Sequence, residues 1–222
     1  MPSSSKLSLA LAAASLAACR EPGDTKSNAE PTAEIRSHAA ADTVREGYPE
    51  TLTGTVGDPD HAMDALTVAW VVDGVEVCAD SAPDAEGTVS CAHTFGPTGG
   101  VVQLDVRDPD GGAGSATVAL EVQPTDAPVA VLTAPTPEGV HYTDPPTTLA
   151  GVISDAEDDV SELTVAWSSS LDGALSGDFT VPDPDGALQG AAILSEGEHV
   201  LTLTVTDRTG KQGQDSTTIQ VG

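Results

Sequence analysis

Two β-sandwiches in tandem are what this 222-residue sequence predicts, and three observations carry that expectation. First, Leu66-Thr67-Val68-Ala69-Trp70 recurs letter for letter as Leu163-Thr164-Val165-Ala166-Trp167, 97 positions further on. An internal repeat of that length is a whole small domain rather than a motif. Second, apolar residues alternate at period two. Leu66, Val68 and Trp70 share one face of a strand, followed by Val102, Leu104 and Val106 and then by Val118, Leu120 and Val122. Thr and Val fill most places between, as half-buried strands require. Third, clusters of Gly, Pro and Asp separate the runs, and no helical period survives beyond the first eighteen residues. The pattern is all-β, with short strands joined by tight turns.

The segments follow in order. Lys6 and the amino terminus form a charged start, and Leu7 to Ala18 an unbroken small, apolar run. That run is shorter than the ~20 apolar residues needed to span a bilayer, so it reads as a processing signal over residues 1–18. It ends in Leu16-Ala17-Ala18-Cys19, which resembles the lipobox of bacterial lipoproteins. The resemblance implies a diacylglycerol on the Cys19 thiol and a fatty acyl chain, such as palmitate, on the new amino terminus. Several chains at ~0.8 kcal/mol per buried methylene hold a protein on a membrane stably without crossing it. Residues 20–30 are polar and periodless and form, with Cys19, a tether over 19–30. By the sorting rule of enteric bacteria, the absence of Asp after the lipidated Cys, where Arg20 stands, implies the outer membrane of a Gram-negative cell.

The first sandwich is expected over 31–123, a linker over 124–127 and the second sandwich over 128–222. The repeat supports the boundaries: Pro31 pairs with Pro128, Pro49 with Pro146, and Leu52 to Asp58 with Leu149 to Asp155. Asp108 pairs with Asp207 at an offset of 99, so the second copy gains two residues after its Trp. A linker as short as Pro124 to Ala127 predicts a stiff end-to-end rod.

The residues resemble a known group, the Ig-like and PKD-like domains of bacterial surface proteins. The Trp-centred strand Leu163 to Trp167, the Leu171-Asp172-Gly173 after it, the ending Gly197 to Asp207, and His93-Thr94-Phe95 in the first copy carry the likeness. Neither copy has the Phe-Gly-Asp-Gly that typifies PKD domains, so the Ig-like name fits better. Such domains serve as spacers, adhesion units and accessory binding modules. Their shared motifs specify fold rather than activity.

Composition excludes some partners. The chain carries 8 Lys+Arg against 35 Asp+Glu, a net charge of −27, which repels nucleic acid and anionic surfaces. Catalysis needs an oriented nucleophile and base, and the His residues at 38, 61, 93, 141 and 199 stand singly, without the spacing of a zinc site or a Gly-x-Ser-x-Gly elbow nearby. No enzyme is expected. A protein or polysaccharide ligand is the expected partner, with an accessory carbohydrate-binding module as the alternative reading. Against the latter, Trp70 and Trp167 sit on inward faces, and Tyr48 and Tyr142, each just before a strand, read as edge packing.

Cys78 and Cys91 form an even pair in an exported chain and predict a disulfide private to the first domain. No cofactor is required. Acidic residues recur at equivalent turns, chiefly because Asp suits turns. A further expectation is calcium at the junction of the two domains, with Asp155, Glu157, Asp158, Asp159 and Asp207 converging on the linker residue Asp126. Carboxylates crowded into a small volume repel unless bridged, and calcium takes six to eight oxygens. The matching loops of the first domain, with Asp58, Asp60, Asp64, Asp108 and Asp110, are expected to bind more weakly.

Overall fold

A computed structural model describes residues 27–222. The signal segment and Cys19 lie outside the described residues. Nine strands build the first domain: β1 (Thr32–Ile35), β2 (Thr43–Arg45), β3 (Pro49–Gly57), β4 (Thr67–Val72), β5 (Val75–Ser81), β6 (Thr88–Thr94), β7 (Val101–Arg107), β8 (Ala113–Ala119) and β9 (Glu121–Gln123). One antiparallel sheet runs β1-β3-β6 and the facing sheet β5-β4-β7-β8, while β2 pairs with β9 in parallel along the edge. The inward residues are those the alternation picks out. Leu52, Val68, Trp70, Val102, Leu104 and Val106 are all buried and fill the space between the sheets. Each contributes about 1.5–3 kcal/mol relative to the exposed side chain.

The second domain repeats the plan with β10 (Val129–Ala134), β11 (Thr147–Ser154), β12 (Thr164–Ser169), β13 (Gly173–Ala174), β14 (Ala187–Ala192), β15 (Gly197–Thr206) and β16 (Gln212–Val221). Its sheets are β10-β11-β14 and β13-β12-β15-β16, around a separate core of Leu149, Ile153, Trp167, Leu201, Leu203 and Val205. The parallel edge of the first domain shrinks here to a single bridge between His141 and Val221, the counterparts of Val44 and Val122. Two sheets in this strand order define an immunoglobulin-like sandwich, and the chain holds two of them.

The repeat extends to glycine. Gly87 and Gly186 both end an Asp-initiated turn at φ +80°, and a Cβ at either would strike the carbonyl oxygen of Val56 or Ile153. Only glycine satisfies both conditions.

The domains close their open edges differently. Cys78 of β5 and Cys91 of β6 form a disulfide, which ties the edge strands of the two facing sheets of domain 1. In domain 2 the counterpart of Cys91 is Gly190, and the ring of Phe179 lies over it. Phe179 stacks on Trp167 with centroids 5.9 Å apart. A covalent tie in one copy is replaced by an aromatic lid in the other.

Candidate functional site

The most elaborate polar structure lies where the domains meet. Lys211, in the turn between β15 and β16, reaches across the junction with all three ammonium donors engaged. Nζ donates to Glu46 Oε2 at 2.6 Å, to the Thr125 carbonyl at 2.5 Å and to Thr125 Oγ1 at 2.8 Å. Glu46 is buried and also accepts from the Thr125 amide. The Lys211 hydrogen bond, reinforced by that amide, outweighs burial and holds the Glu46 carboxyl below the usual glutamate range. Beside it, Arg208 donates from Nε to Asp158 Oδ1 and from Nη2 to Glu162 Oε2, each at 2.6 Å, and its guanidinium lies 4.3 Å from the ring centre of Tyr48. Tyr48 Oη lies 2.7 Å from both the Glu157 carbonyl oxygen and Asp158 Oδ1. Burial first, and then the Asp158 carboxylate, push the Tyr48 phenol above its usual value. Gly47 sits at φ +75° against the Thr209 methyl group, where a Cβ would collide.

The expected junction carboxylates are therefore largely engaged within the chain. Asp155 Oδ1 accepts the amides of Glu157 and Asp158. Glu157 does meet the linker, but through the Asp126 amide rather than its carboxylate. Asp158 is taken by Arg208 and Tyr48, Asp159 is exposed and caps Ser161, and Asp207 accepts the Lys211 amide and the Thr209 hydroxyl. The cations paired with carboxylates at the junction are Arg208 and Lys211.

At the opposite end of domain 1 the equivalent turns are arranged differently. Among the described residues, one group of three metal-ligating side chains has its ligand atoms within 4.8 Å of one another: Asp58, His61 and Asp108. Asp58 Oδ1 accepts the amides of Asp60 and His61, both at 2.7 Å, and lies 3.1 Å from His61 Nδ1. Asp108 accepts from Asn28, Asp110 and Gly112, and the Asn28 hydrogen bond leads in holding its carboxyl low. Burial opposes a charged His61 imidazole, but Asp58, with Asp108 and Asp110, outweighs burial and raises its pKa. The chain entering this end repeats the linker: the Ala29 amide donates to Asp60 as the Asp126 amide donates to Glu157.

Domain 2 also gathers a serine, a histidine and an aspartate. Ser169 Oγ lies 2.7 Å from His199 Nδ1, whose Nε2 donates to the Ser195 carbonyl, and Asp172 Oδ2 lies 3.6 Å from the same Nδ1. Ser169 Oγ already accepts the amides of Leu171 and Asp172, and His199 is fully buried. No substrate carbonyl can reach that hydroxyl, so the group is a strut joining two loops. A cleft of about 430 Å³ elsewhere in domain 2 is lined by Val165, Trp167, Phe179, Val181 and Leu188, without a titratable side chain.

Sequence reasoning missed Glu46, Tyr48, Arg208, Lys211 and His61. The available signal was charge placement: two of only eight Lys+Arg residues fall in the turn where the first copy carries Pro109 and Gly112.

The class this fold defines is a tandem of non-identical Ig-like domains. No protein-family model matches the chain, and no curated protein matches it in sequence. Among solved structures it is similar to the fibronectin(III)-like modules of Clostridium thermocellum CbhA, at 18% identity and TM-score 0.42, covering 85% of this chain and 93% of that one. It is also similar to the N-terminal eight Ig domains of Down Syndrome Cell Adhesion Molecule, at 13% identity and TM-score 0.40, covering 88% of this chain and 27% of that one. An I-band fragment of titin matches at 15% identity and TM-score 0.36, covering 88% and 66%. Likenesses this distant say nothing of what this chain binds.

Proposed function

We propose that this chain is a non-catalytic lipoprotein of the bacterial envelope, fixed to the outer membrane through lipid on Cys19, whose two Ig-like domains form a stiff spacer offering surface to a protein ligand. The observation that carries the spacer reading is the junction. A single ammonium bonds Glu46 of domain 1, Thr125 of the linker and its own domain 2 together, beside the Arg208 and Tyr48 contact. Fixing both domains to a short linker removes the bending freedom such a linker otherwise keeps. No helix among the described residues is long and apolar enough to cross a membrane. A polysaccharide ligand is less supported. Trp70 and Trp167 are buried, and among the described residues Tyr142 is the one aromatic ring left exposed.

Two measurements test the reading. A palmitate analogue should label the wild type in its own envelope and miss Cys19→Ala, and label persisting in the variant removes the anchor. Small-angle scattering should show an extended particle of fixed domain angle, and Lys211→Met combined with Tyr48→Phe should broaden that angle. Equal angular spread in both proteins removes the stiff spacer.

A further inference from the structure

The ends of the two domains that face the amino terminus are built from the same turns, yet they neutralise their carboxylates by different means. In domain 2 the repeat places Asp155, Asp158 and Asp207; the Arg208 guanidinium pairs with Asp158, and Asp207 accepts the Lys211 backbone amide. In domain 1 the same places carry Asp58, His61 and Asp108, while the positions of the two cations carry Pro109 and Gly112. We infer that domain 1 binds a divalent transition-metal ion of the zinc class through Asp58, His61 and Asp108, the ion supplying the positive charge that Arg208 supplies in domain 2.

Two independent observations meet here. The ligand atoms of the three side chains lie within 4.8 Å of one another, which a single ion spans. Asp58, moreover, has a side chain with no exposure, and its Oδ2 is buried without a hydrogen-bond partner. A buried carboxylate oxygen left unpartnered is costly, and a metal ion satisfies it. Asp155 Oδ2 in domain 2 is unpartnered likewise, but there the His61 position is Asp158, already taken by Arg208, so no third ligand is free. Histidine decides the class of metal. A nitrogen donor with two carboxylates suits zinc and its transition-metal neighbours, whereas calcium selects oxygen alone. Both ring nitrogens of His61 face carboxylates. Nδ1 lies 3.1 Å from Asp58 Oδ1, and Nε2 faces the exposed Asp110 carboxylate at 3.4 Å. Because Asn28 donates to Asp108 and Ala29 to Asp60, an ion here fastens the base of domain 1 to the chain entering it.

The test is cobalt(II) titrated into the full chain. The expected result is saturable visible absorption at one ion per chain, displaced by zinc and not by equimolar calcium. His61→Gln and Asp58→Asn should abolish the signal, and Asp110→Asn should weaken binding about tenfold. Asp155→Asn should leave binding unchanged. Thermal melts establish that each variant is folded, and zinc-dependent shifts of the His61 ring signals in the wild type give a reading that needs no variant. Absence of saturable absorption with millimolar cobalt, or undiminished binding by folded His61→Gln, overturns the inference and leaves His61 as an imidazolium paired with Asp58 and Asp110.

Discussion

Replacing Cys78 and Cys91 together with alanine should lower the stability of domain 1 and leave domain 2 almost untouched. The bridge joins residues 13 apart in sequence, on the edge strands of the two facing sheets. A closed loop of that size removes roughly 10 cal/mol/K of entropy from the unfolded chain, or about 3 kcal/mol at room temperature. A domain of this size unfolds with roughly 0.2 kcal/mol/K of entropy, so the loss converts to a fall of about 15 °C in melting temperature. Cys91 is 3% exposed, so its truncation also leaves a small void and moves the result in the same direction. Scanning calorimetry of the full chain reads both domains at once. Domain 2 contains no cysteine and serves as the internal reference. The expected trace has one transition lowered strongly and one nearly unmoved, and reductant should reproduce it in the wild type. If the variant's first transition fell by less than about 5 °C, the chain-entropy account of this bridge would be refuted.

Two other predictions concern the junction. Lys211 holds the Glu46 carboxyl below its ordinary value of 4.5, so the stabilisation is complete above that value and is lost as pH falls through the lowered one. Interdomain order, followed by residual dipolar couplings, should thus hold from neutral pH to about 4.5 and loosen below it, with no such acid transition in Lys211→Met; loosening already at neutral pH contradicts this. Calcium at millimolar concentration should raise the melting temperature of domain 2 very little, because Asp158 and Asp207 are held by Arg208, Tyr48 and the Lys211 turn. A clear rise that Asp155→Asn with Asp207→Asn abolishes would instead establish a calcium ion at the junction.

The fold was legible because its signal is local and repeated. Period-two alternation names Val102, Leu104 and Val106, all fully buried, and the repeat, at its offset of 99 after the Trp strand, carries the assignment to Leu201, Leu203 and Val205. The Cys78 to Cys91 bridge was equally plain, since the two cysteines expected in one sandwich have one pairing available. What stayed hidden depends on contacts far apart in sequence. Tyr48 reads as edge packing from its place before a strand, yet its hydroxyl lies against residues more than a hundred positions away. His61 carries no zinc-like spacing because its partner Asp108 comes from another turn that only the folded sandwich brings near. His199 likewise stands alone in sequence and meets Ser169 and Asp172 only after β12 and β15 pair. Loop Asp residues were legible as turn formers, but which of them meets a cation depends on a neighbouring domain that turn chemistry does not encode.

The repeat makes the polarity of the junction a matter of a few residues. Domain 2 presents Arg208, Thr209 and Lys211 toward domain 1, which answers with Glu46, Gly47 and Tyr48. At the same places in its own far end, domain 2 carries Thr143, Asp144 and Pro145. It therefore lacks the carboxylate that receives an ammonium, the glycine that admits a threonine methyl, and the phenol that lies under a guanidinium. Domain 1, for its part, carries Pro109 and Gly112 where the clamp needs its cations. Neither copy can replace the other at the junction, although both fold on the same plan. The core positions are shared and fix the sandwich, while the turns at the two ends differ and fix the order in which the sandwiches stack.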